Sequence, residues 1–235
     1  MKVLITGTSY GVGRAAALKF LEKGHEVVGF DISEPTIADE KFEHYTVDVR
    51  DIEHFPDIRN INIIVNNAGI VTPKKEAIDV NLHGYMNTLK KYGKDPCLKS
   101  VVNIGSTASY KGYDNMEYCV SQGGRDALTK WAANNFGRDE RHVLVNSINL
   151  DGIIPTDPVT GLPGTEMEPE LYARPELMEQ IKNLSILKRL TTVYEIAEWI
   201  YFVTAVNTVM TGQTIMLDGE LQGAFQFIPY PGWDS

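Results

Sequence analysis

Short runs of consecutive apolar residues alternate along the chain with longer stretches in which apolar residues recur at helical spacing. The run KVLIT leads into a glycine-containing turn and then into RAAALKFLEKG, whose apolar positions repeat every three or four residues. A second apolar run, GHEVVGFD, follows directly. This order predicts a strand, a helix and a second strand that lies parallel to the first, because a helical crossover joins parallel neighbours.

The alternation continues to the end of the chain. Further strands are predicted in HYTVDV, NINIIVNNAG, SVVNIGS, HVLVNSIN and TIMLD, and further helices at about 76–92 and 117–136. The strands are nearly continuous in Val, Ile and Leu, which indicates burial on both faces of a parallel sheet. We therefore expect a doubly wound, Rossmann-type α/β fold with about seven strands, in a single domain that spans residues 1–235.

One segment interrupts this regular pattern. Residues 151–176 contain five prolines and several glycines and show no periodicity. A loop of this length inside a compact domain is more often functional than a plain connection. We expect a substrate-binding loop at about 151–190.

Composition excludes several classes of partner. The formal net charge is −9, so a nucleic-acid backbone would be repelled. No run of about 18 apolar residues and no signal-peptide pattern is found, and we expect a cytoplasmic protein without a membrane partner. The five histidines and two cysteines lack ligand spacing, so no metal site is expected.

The turn TGTSYGVG lies between the first strand and the first helix. Glycines there let backbone N–H groups approach a pyrophosphate at the helix N-terminus, although a tight turn without a ligand has the same pattern. Asp31 ends the second strand, where a carboxylate can accept hydrogen bonds from both ribose hydroxyls. The alternative is an exposed residue that opens a turn. Because Asp31 would repel a 2′-phosphate, the sequence favours NAD over NADP.

TGTSYGVG, Asp48-Val49, NNAG at 66–69, Asn81, Ser106 and Tyr118 occur in this order at characteristic intervals. With these motifs the chain resembles the short-chain dehydrogenase/reductase family over essentially its whole length. The resemblance implies a nicotinamide-dependent oxidoreductase that acts on a small carbonyl or alcohol substrate.

The resemblance also assigns roles. Residues expected to contact the cofactor are Gly7, Ser9, Tyr10, Gly11, Val12, Gly13, Asp31, Ile32, Asp48, Val49, Asn67, Ala68, Gly69, Tyr118, Gln122 and Ile153. Ser106 would hydrogen-bond the substrate oxygen, Tyr118 would exchange a proton with it, and Asn81 would help to organise a water molecule. The plainer alternatives are a helix cap for Ser106, a packed aromatic for Tyr118 and a polar mid-helix residue for Asn81.

The chain departs from the family pattern Tyr-x-x-x-Lys, because Gln122 stands in the lysine position. A glutamine amide can bind ribose hydroxyls but supplies no charge to lower the tyrosine pKa. Without that charge Tyr118 is expected to keep a pKa near or above its reference value of about 10. Lys111 and Arg125 are candidate substitute cations, but Arg125, three positions past Gln122, is expected to point elsewhere.

Two functions are therefore compatible with the sequence. The first is an NAD-dependent oxidoreductase that interconverts a small alcohol and a carbonyl, with Ser106, Tyr118, Gln122 and Asn81 in its active site. The second is a catalytically weakened relative that binds NAD(H) for a regulatory or scaffolding role. Whether Gln122 is native or introduced stays open.

Quaternary structure is predicted from the same resemblance. Family members commonly form tetramers or dimers through helices equivalent to 76–92 and 117–136, and the tail AFQFIPYPGWDS is too aromatic for a free end. We expect a homo-oligomer with Phe225, Phe227 and Trp233 docked on a subunit surface or near a neighbouring site. Light scattering at micromolar concentration tests this expectation, and a monomeric mass would contradict it.

Overall fold

The structure, a computed structural model, describes residues 1–71, 74–113, 115–153, 161 and 175–219. Its centre is a seven-stranded sheet with the strand order β3-β2-β1-β4-β5-β6-β7. The strands are β1 (Lys2–Thr6), β2 (Glu26–Asp31), β3 (Phe42–Thr46), β4 (Ile63–Asn66), β5 (Ser100–Ser106), β6 (Leu144–Leu150) and β7 (Thr214–Leu217).

All six strand pairings are parallel. At the centre of the sheet Leu4 of β1 lies opposite Val28 of β2 on one side and Ile64 of β4 on the other. The chain builds outward in one direction from β1 to β3 and in the other from β4 to β7. This reversal between β1 and β4 is the place where open α/β sheets leave a crevice at the carboxyl ends of the strands.

Helices connect the strands. They are α1 (Gly11–Glu22), α2 (an α-helical turn Glu76–Ile78, a π-helical segment Asp79–His83 and an α-helix Gly84–Tyr92), α3 (Ala108–Lys111), α4 (Met116–Phe136), α5 (Pro175–Leu184) and α6 (Val193–Tyr201, continued by a π-helical segment Phe202–Val206). None of the described helices is long and apolar enough to cross a bilayer.

Each face of the sheet carries its own hydrophobic core. On one face α1 and α6 bury residues such as Phe20 and Ile196 against Ile5. On the other face α2 and α4 bury residues such as Leu89 and Ala132 against Leu4. The two cores confirm the predicted doubly wound fold and explain why the strands are apolar on both sides.

One strand, β3, has different bounds from those that the sequence predicts. β3 covers Phe42–Thr46 rather than 44–49, because after the Val47 amide donates to the Asp31 carbonyl (2.8 Å) the chain turns at Asp48. The predicted substrate loop lies mostly outside the described residues, as does the aromatic tail.

Gly13 sets how closely α1 approaches the sheet. A Cβ atom at this position would overlap the carbonyl oxygen of Gly7 and lie 2.5 Å from Nδ2 of Asn67. Gly123 in α4 is also helical, but a Cβ atom there would meet only the Ser109 carbonyl oxygen, at 3.8 Å. Substitution by alanine should therefore have opposite effects on the free energy of unfolding at these two glycines.

We expect Gly13→Ala to lower the free energy of unfolding by about 1–3 kcal/mol, since backbone atoms must move to admit the methyl group. Gly123→Ala should raise it by about 0.5–1 kcal/mol, because alanine is the better helix former. Urea denaturation of both variants measures the two changes. Equal effects, or a stabilising Gly13→Ala, would show that the turn is not closely packed.

Candidate functional site

A crevice of about 870 Å³ lies at the carboxyl edge of the sheet. Its walls come from the turns after the first six strands, β1 to β6, and from the crevice-facing sides of α2 and α4. The volume falls within the range typical of cofactor and substrate sites. The chemistry of the site therefore depends on which side chains the strand ends present.

Hydrogen bonds join the turn after β1 to the turn after β4. Thr6, the last residue of β1, accepts hydrogen bonds at Oγ1 from the backbone amides of Asn67 and Ala68, each at 3.0 Å. In return Nδ2 of Asn67 donates to the carbonyls of Thr6 (3.0 Å) and Gly7 (3.2 Å). Gly7 has a φ of 77°, which a side chain would strain. The result is an open backbone surface with the N-terminus of α1 beside it, which could hold a pyrophosphate.

Asp31 is oriented by neighbouring backbone. Its carboxylate accepts hydrogen bonds from the amides of Ser9 (2.8 Å) and Ser33 (2.9 Å) while its side chain lines the crevice. Ser9 is itself buried, so it positions Asp31 and does not reach the crevice. The remaining lone pairs of the carboxylate could accept ribose hydroxyls.

Asp48 lies further along the same wall. It forms a two-pronged ion pair with Arg50, in which Nε of Arg50 is 2.9 Å from Oδ2. The guanidinium holds the pKa of the Asp48 carboxyl below its usual range. Val49 also lines the crevice, so this wall could accept adenine.

Ser106 and Tyr118 stand at the other end of the crevice. Ser106 ends β5, and its Oγ accepts a hydrogen bond from the Ala108 amide at 3.2 Å. Tyr118 lies in the first turn of α4, where the Asn115 side chain caps the helix by accepting from the Tyr118 amide at 3.0 Å. Both hydroxyl-bearing residues line the crevice.

Asn81 and Gln122 lie deeper. Oδ1 of Asn81 accepts from the Ile70 amide, and Nδ2 donates to the Ile70 carbonyl, both at 2.8 Å. Asn81 therefore holds the chain after the NNAG turn against the π-helical segment of α2. Gln122 is only 1% exposed, and its Nε2 lies 3.3 Å from Oγ of Ser121. Its Oε1 has no hydrogen-bond partner, so an acceptor is left for a ligand hydroxyl.

A sequence model of the family described as enoyl-(acyl carrier protein) reductase matches residues 7–221. This match extends over nearly all of the sheet and its helices. The chain belongs to the short-chain dehydrogenase/reductase family.

Two curated relatives illustrate the similarity. L-xylulose reductase from Caenorhabditis elegans is 27% identical over an alignment of 252 positions, which covers 93% of this chain and 94% of that protein. The 3-oxoacyl-(acyl-carrier-protein) reductase FabG from Thermotoga maritima is 30% identical over 251 residues, covering 93% and 96%. Both are oxidoreductases by name.

Solved structures share the fold. 4-Hydroxyisoleucine dehydrogenase complexed with NADH superposes with a TM-score of 0.80 at 24% identity, covering 94% of this chain and 98% of that one. ElxO with NADP bound gives a TM-score of 0.77 at 24% identity, again covering 94% and 98%. Structural neighbours of this short-chain dehydrogenase/reductase thus bind nicotinamide cofactors of both kinds.

Within the family site, the acidity of Tyr118 is set by opposing effects. Burial of its hydroxyl raises the pKa above the ordinary tyrosine value, and the Asp151 carboxylate raises it further. The Ser106 hydroxyl and the Arg125 charge favour the phenolate but do not offset burial. Tyr118 is therefore protonated at neutral pH.

A second polar cluster, which the sequence did not predict, forms around Asp151. Oδ2 of Asp151 accepts hydrogen bonds from Tyr113 (2.6 Å), Thr107 (2.7 Å) and Lys111 (2.8 Å). Burial of Asp151 opposes ionisation, yet these three donors together hold its pKa below the usual range. Lys111 is thus committed to an ion pair.

Arg125 does not point elsewhere, contrary to expectation. It lines the crevice although it is only 4% exposed. Its Nη1 donates to the hydroxyl of Tyr85 at 2.9 Å, and its Nε has no partner. Its spacing from Gln122 (i, i+3) and from Tyr118 (i, i+7) indicates a shared helix face, which is the signal in the sequence for this placement.

Most of the predicted residues converge on the crevice. Those that line it are Gly7, Tyr10, Gly11, Val12, Asp31, Ile32, Asp48, Val49, Asn67, Ala68, Gly69, Asn81, Ser106, Tyr118, Gln122 and Ile153. Ser9 and Gly13 lie behind it and support the turn. Within the described ranges, no group of three or more His, Cys, Asp or Glu residues could hold a metal ion.

Proposed function

We propose that the protein is an NAD-dependent oxidoreductase that interconverts a small alcohol and a carbonyl compound by hydride transfer. The observation that carries this proposal is the pairing of Ser106 and Tyr118 at the substrate end of a crevice whose other end suits a dinucleotide. Membership of an oxidoreductase family supports it.

The residues present fit NAD. Gly7 and the N-terminus of α1 would hold the pyrophosphate, Asp31 the adenosine ribose, and the free Oε1 of Gln122 a hydroxyl of the nicotinamide ribose. When bound, the nicotinamide supplies or accepts the hydride. A 2′-phosphate beside the Asp31 carboxylate would meet electrostatic repulsion, which favours NAD over NADP.

Proton transfer falls to the chain's own residues. Ser106 would donate a hydrogen bond that orients the substrate oxygen, and Tyr118 would donate its proton to that oxygen as the carbonyl is reduced. The raised pKa keeps Tyr118 in the donor form near neutrality. In the reverse direction Tyr118 must first ionise, so alcohol oxidation should accelerate as pH rises toward the pKa of Tyr118.

A second candidate is a relative that binds NAD(H) without efficient turnover and acts as a regulatory or scaffolding protein. It is favoured by Gln122, which occupies the family's lysine position without a charge, and by the raised pKa of Tyr118. Tight NADH binding without oxidation by any carbonyl would distinguish this function from the first.

We expect NADH to bind more tightly than NADPH, and Asp31→Ala to narrow the difference because it removes the charge that repels the 2′-phosphate. Glu34→Ala is the matched control. It removes an exposed carboxylate three residues away that does not line the crevice, and it should leave the ratio unchanged. Calorimetric titration with both cofactors measures the ratio. Equal affinities in the unmodified protein would contradict the preference.

Tyr118→Phe should reduce turnover by about 10²–10⁴-fold, since it removes the proton donor, while NADH binding is retained. Tyr110→Phe is the control, because Tyr110 is 66% exposed and does not line the crevice. NADH oxidation with a panel of ketones and aldehydes measures turnover, and quenching of intrinsic fluorescence measures binding. If Tyr118→Phe keeps the activity of the unmodified protein, Tyr118 is not the acid.

A further inference from the structure

Arg125 is a buried cation that contacts the neutral Tyr85 side chain and has no carboxylate partner among the described residues. We infer that its guanidinium supplies the positive charge that the Tyr118–Gln122 pair lacks, and that it acts through Tyr118 as a positioning residue of the active site. The kinetic part of this inference rests on the proposed hydride-transfer function. Its electrostatic part does not.

The first support is the arrangement on α4. Tyr118, Gln122 and Arg125 occupy positions i, i+4 and i+7 of one continuous helix, so all three lie along one face. That face lines the crevice. Arg125 also reaches the NNAG turn, because its Nη2 lies 4.0 Å from where a Cβ atom on Gly69 would be.

The second support is that the charge is not neutralised. The guanidinium carbon lies 4.5 Å from the centre of the Tyr85 ring, and Nη1 donates to the Tyr85 hydroxyl. These contacts with a neutral side chain stabilise the cation only in part. In the described part of the chain, no ion pair joins Arg125 to a carboxylate. A buried arginine without a counter-ion is costly, which points to a function for its charge.

The third support comes from the competing cation. Lys111 also lines the crevice, but its Nζ is 2.8 Å from Oδ2 of Asp151, so this pair contributes no net charge. Of the two substitute cations that the sequence offers, only Arg125 therefore leaves a net positive charge near Tyr118.

Several other groups influence Tyr118 from the elements packed around it. They are Ser106 at the end of β5, Asp151 after β6, Cys119 on α4, Tyr85 on α2 and Tyr113 before α4. Among these, Asp151 is ionised and held by Lys111, and Tyr85 stays protonated with a pKa of about 12. Arg125 is thus the group whose charge favours the Tyr118 phenolate most directly.

The test measures Tyr118 ionisation in the ligand-free protein. Near-ultraviolet absorbance is titrated against pH for each variant and for the same variant carrying Tyr118→Phe, and the difference isolates Tyr118. Arg125→Met should raise the pKa of Tyr118 by about one unit, as expected for a unit charge removed from a partly screened site. Arg125→Lys, which keeps the charge, should move it much less.

A rescue variant separates charge from packing. Gln122→Lys combined with Arg125→Met should return the Tyr118 titration toward that of the unmodified protein, because the charge is restored from the neighbouring turn. Gln122→Lys should lower the pKa of Tyr118 in both backgrounds. The decrease should be smaller when Arg125 is present, because Arg125 already places a positive charge near Tyr118.

The kinetic counterpart uses alcohol oxidation. Arg125→Met should lower kcat about tenfold at pH values below the Tyr118 pKa and move the alkaline plateau to higher pH. Arg125→Lys should retain most of the activity. If the unmodified protein turns over no substrate, the proposed function fails, and the spectroscopic titration still decides the role of Arg125.

If Arg125→Met leaves the pKa of Tyr118 unchanged, the inference is overturned. It is also overturned if Arg125→Lys shifts that pKa as much as Arg125→Met does. Removing an unpaired buried charge should not prevent folding, and circular dichroism checks this. Should Arg125→Met not fold, Arg125→Gln replaces it with the same expected shift and the same contradicting outcome.

Discussion

The parallel direction of all seven strands is the constraint on which the rest of the structure depends. It brings the carboxyl ends of the strands to one edge of the sheet, where Thr6, Asp31, Asn66, Ser106 and Leu150 are strand-final residues. Residues far apart in sequence thereby meet without any long connection. Thr6 can bind the NNAG turn, and Asp151, next after β6, can receive Lys111 across 40 positions.

Burial at this edge makes charge placement decisive. In a water-poor crevice a phenol resists ionisation, and a unit charge acts more strongly than in solvent. Among the described residues, the Lys111–Asp151 pair beside Tyr118 is neutralised, whereas Arg125, on the helix that carries Tyr118, has no carboxylate partner. The substitution of lysine by Gln122 therefore does not leave the site without positive charge.

Much of the fold was predictable from local pattern. Apolar runs predict the strands, the glycine turn predicts the start of α1, and Ser106 and Tyr118 indicate the edge of the sheet at which the crevice lies. These features depend on sequence periodicity and on residue types with narrow conformational roles. Asp31 was also recognisable, because the end of a strand fixes the direction of its side chain.

Other features depend on contacts that no local pattern encodes. Arg125 is held at the crevice by the Tyr85 ring, which comes from another helix, and this contact has no counterpart in the spacing along α4. The Asp151 cluster joins three segments, and the π-helical segment that carries Asn81 has no signature in the periodicity. These features depend on tertiary contacts.

We propose that hydride transfer takes place in this crevice. The most direct test is to incubate the protein with NADH deuterated at both C4 positions and a panel of ketones and aldehydes, and to analyse the products by mass spectrometry. The account predicts one deuterium on the former carbonyl carbon of at least one product alcohol. Bound NADH with no deuterium in any product would contradict it.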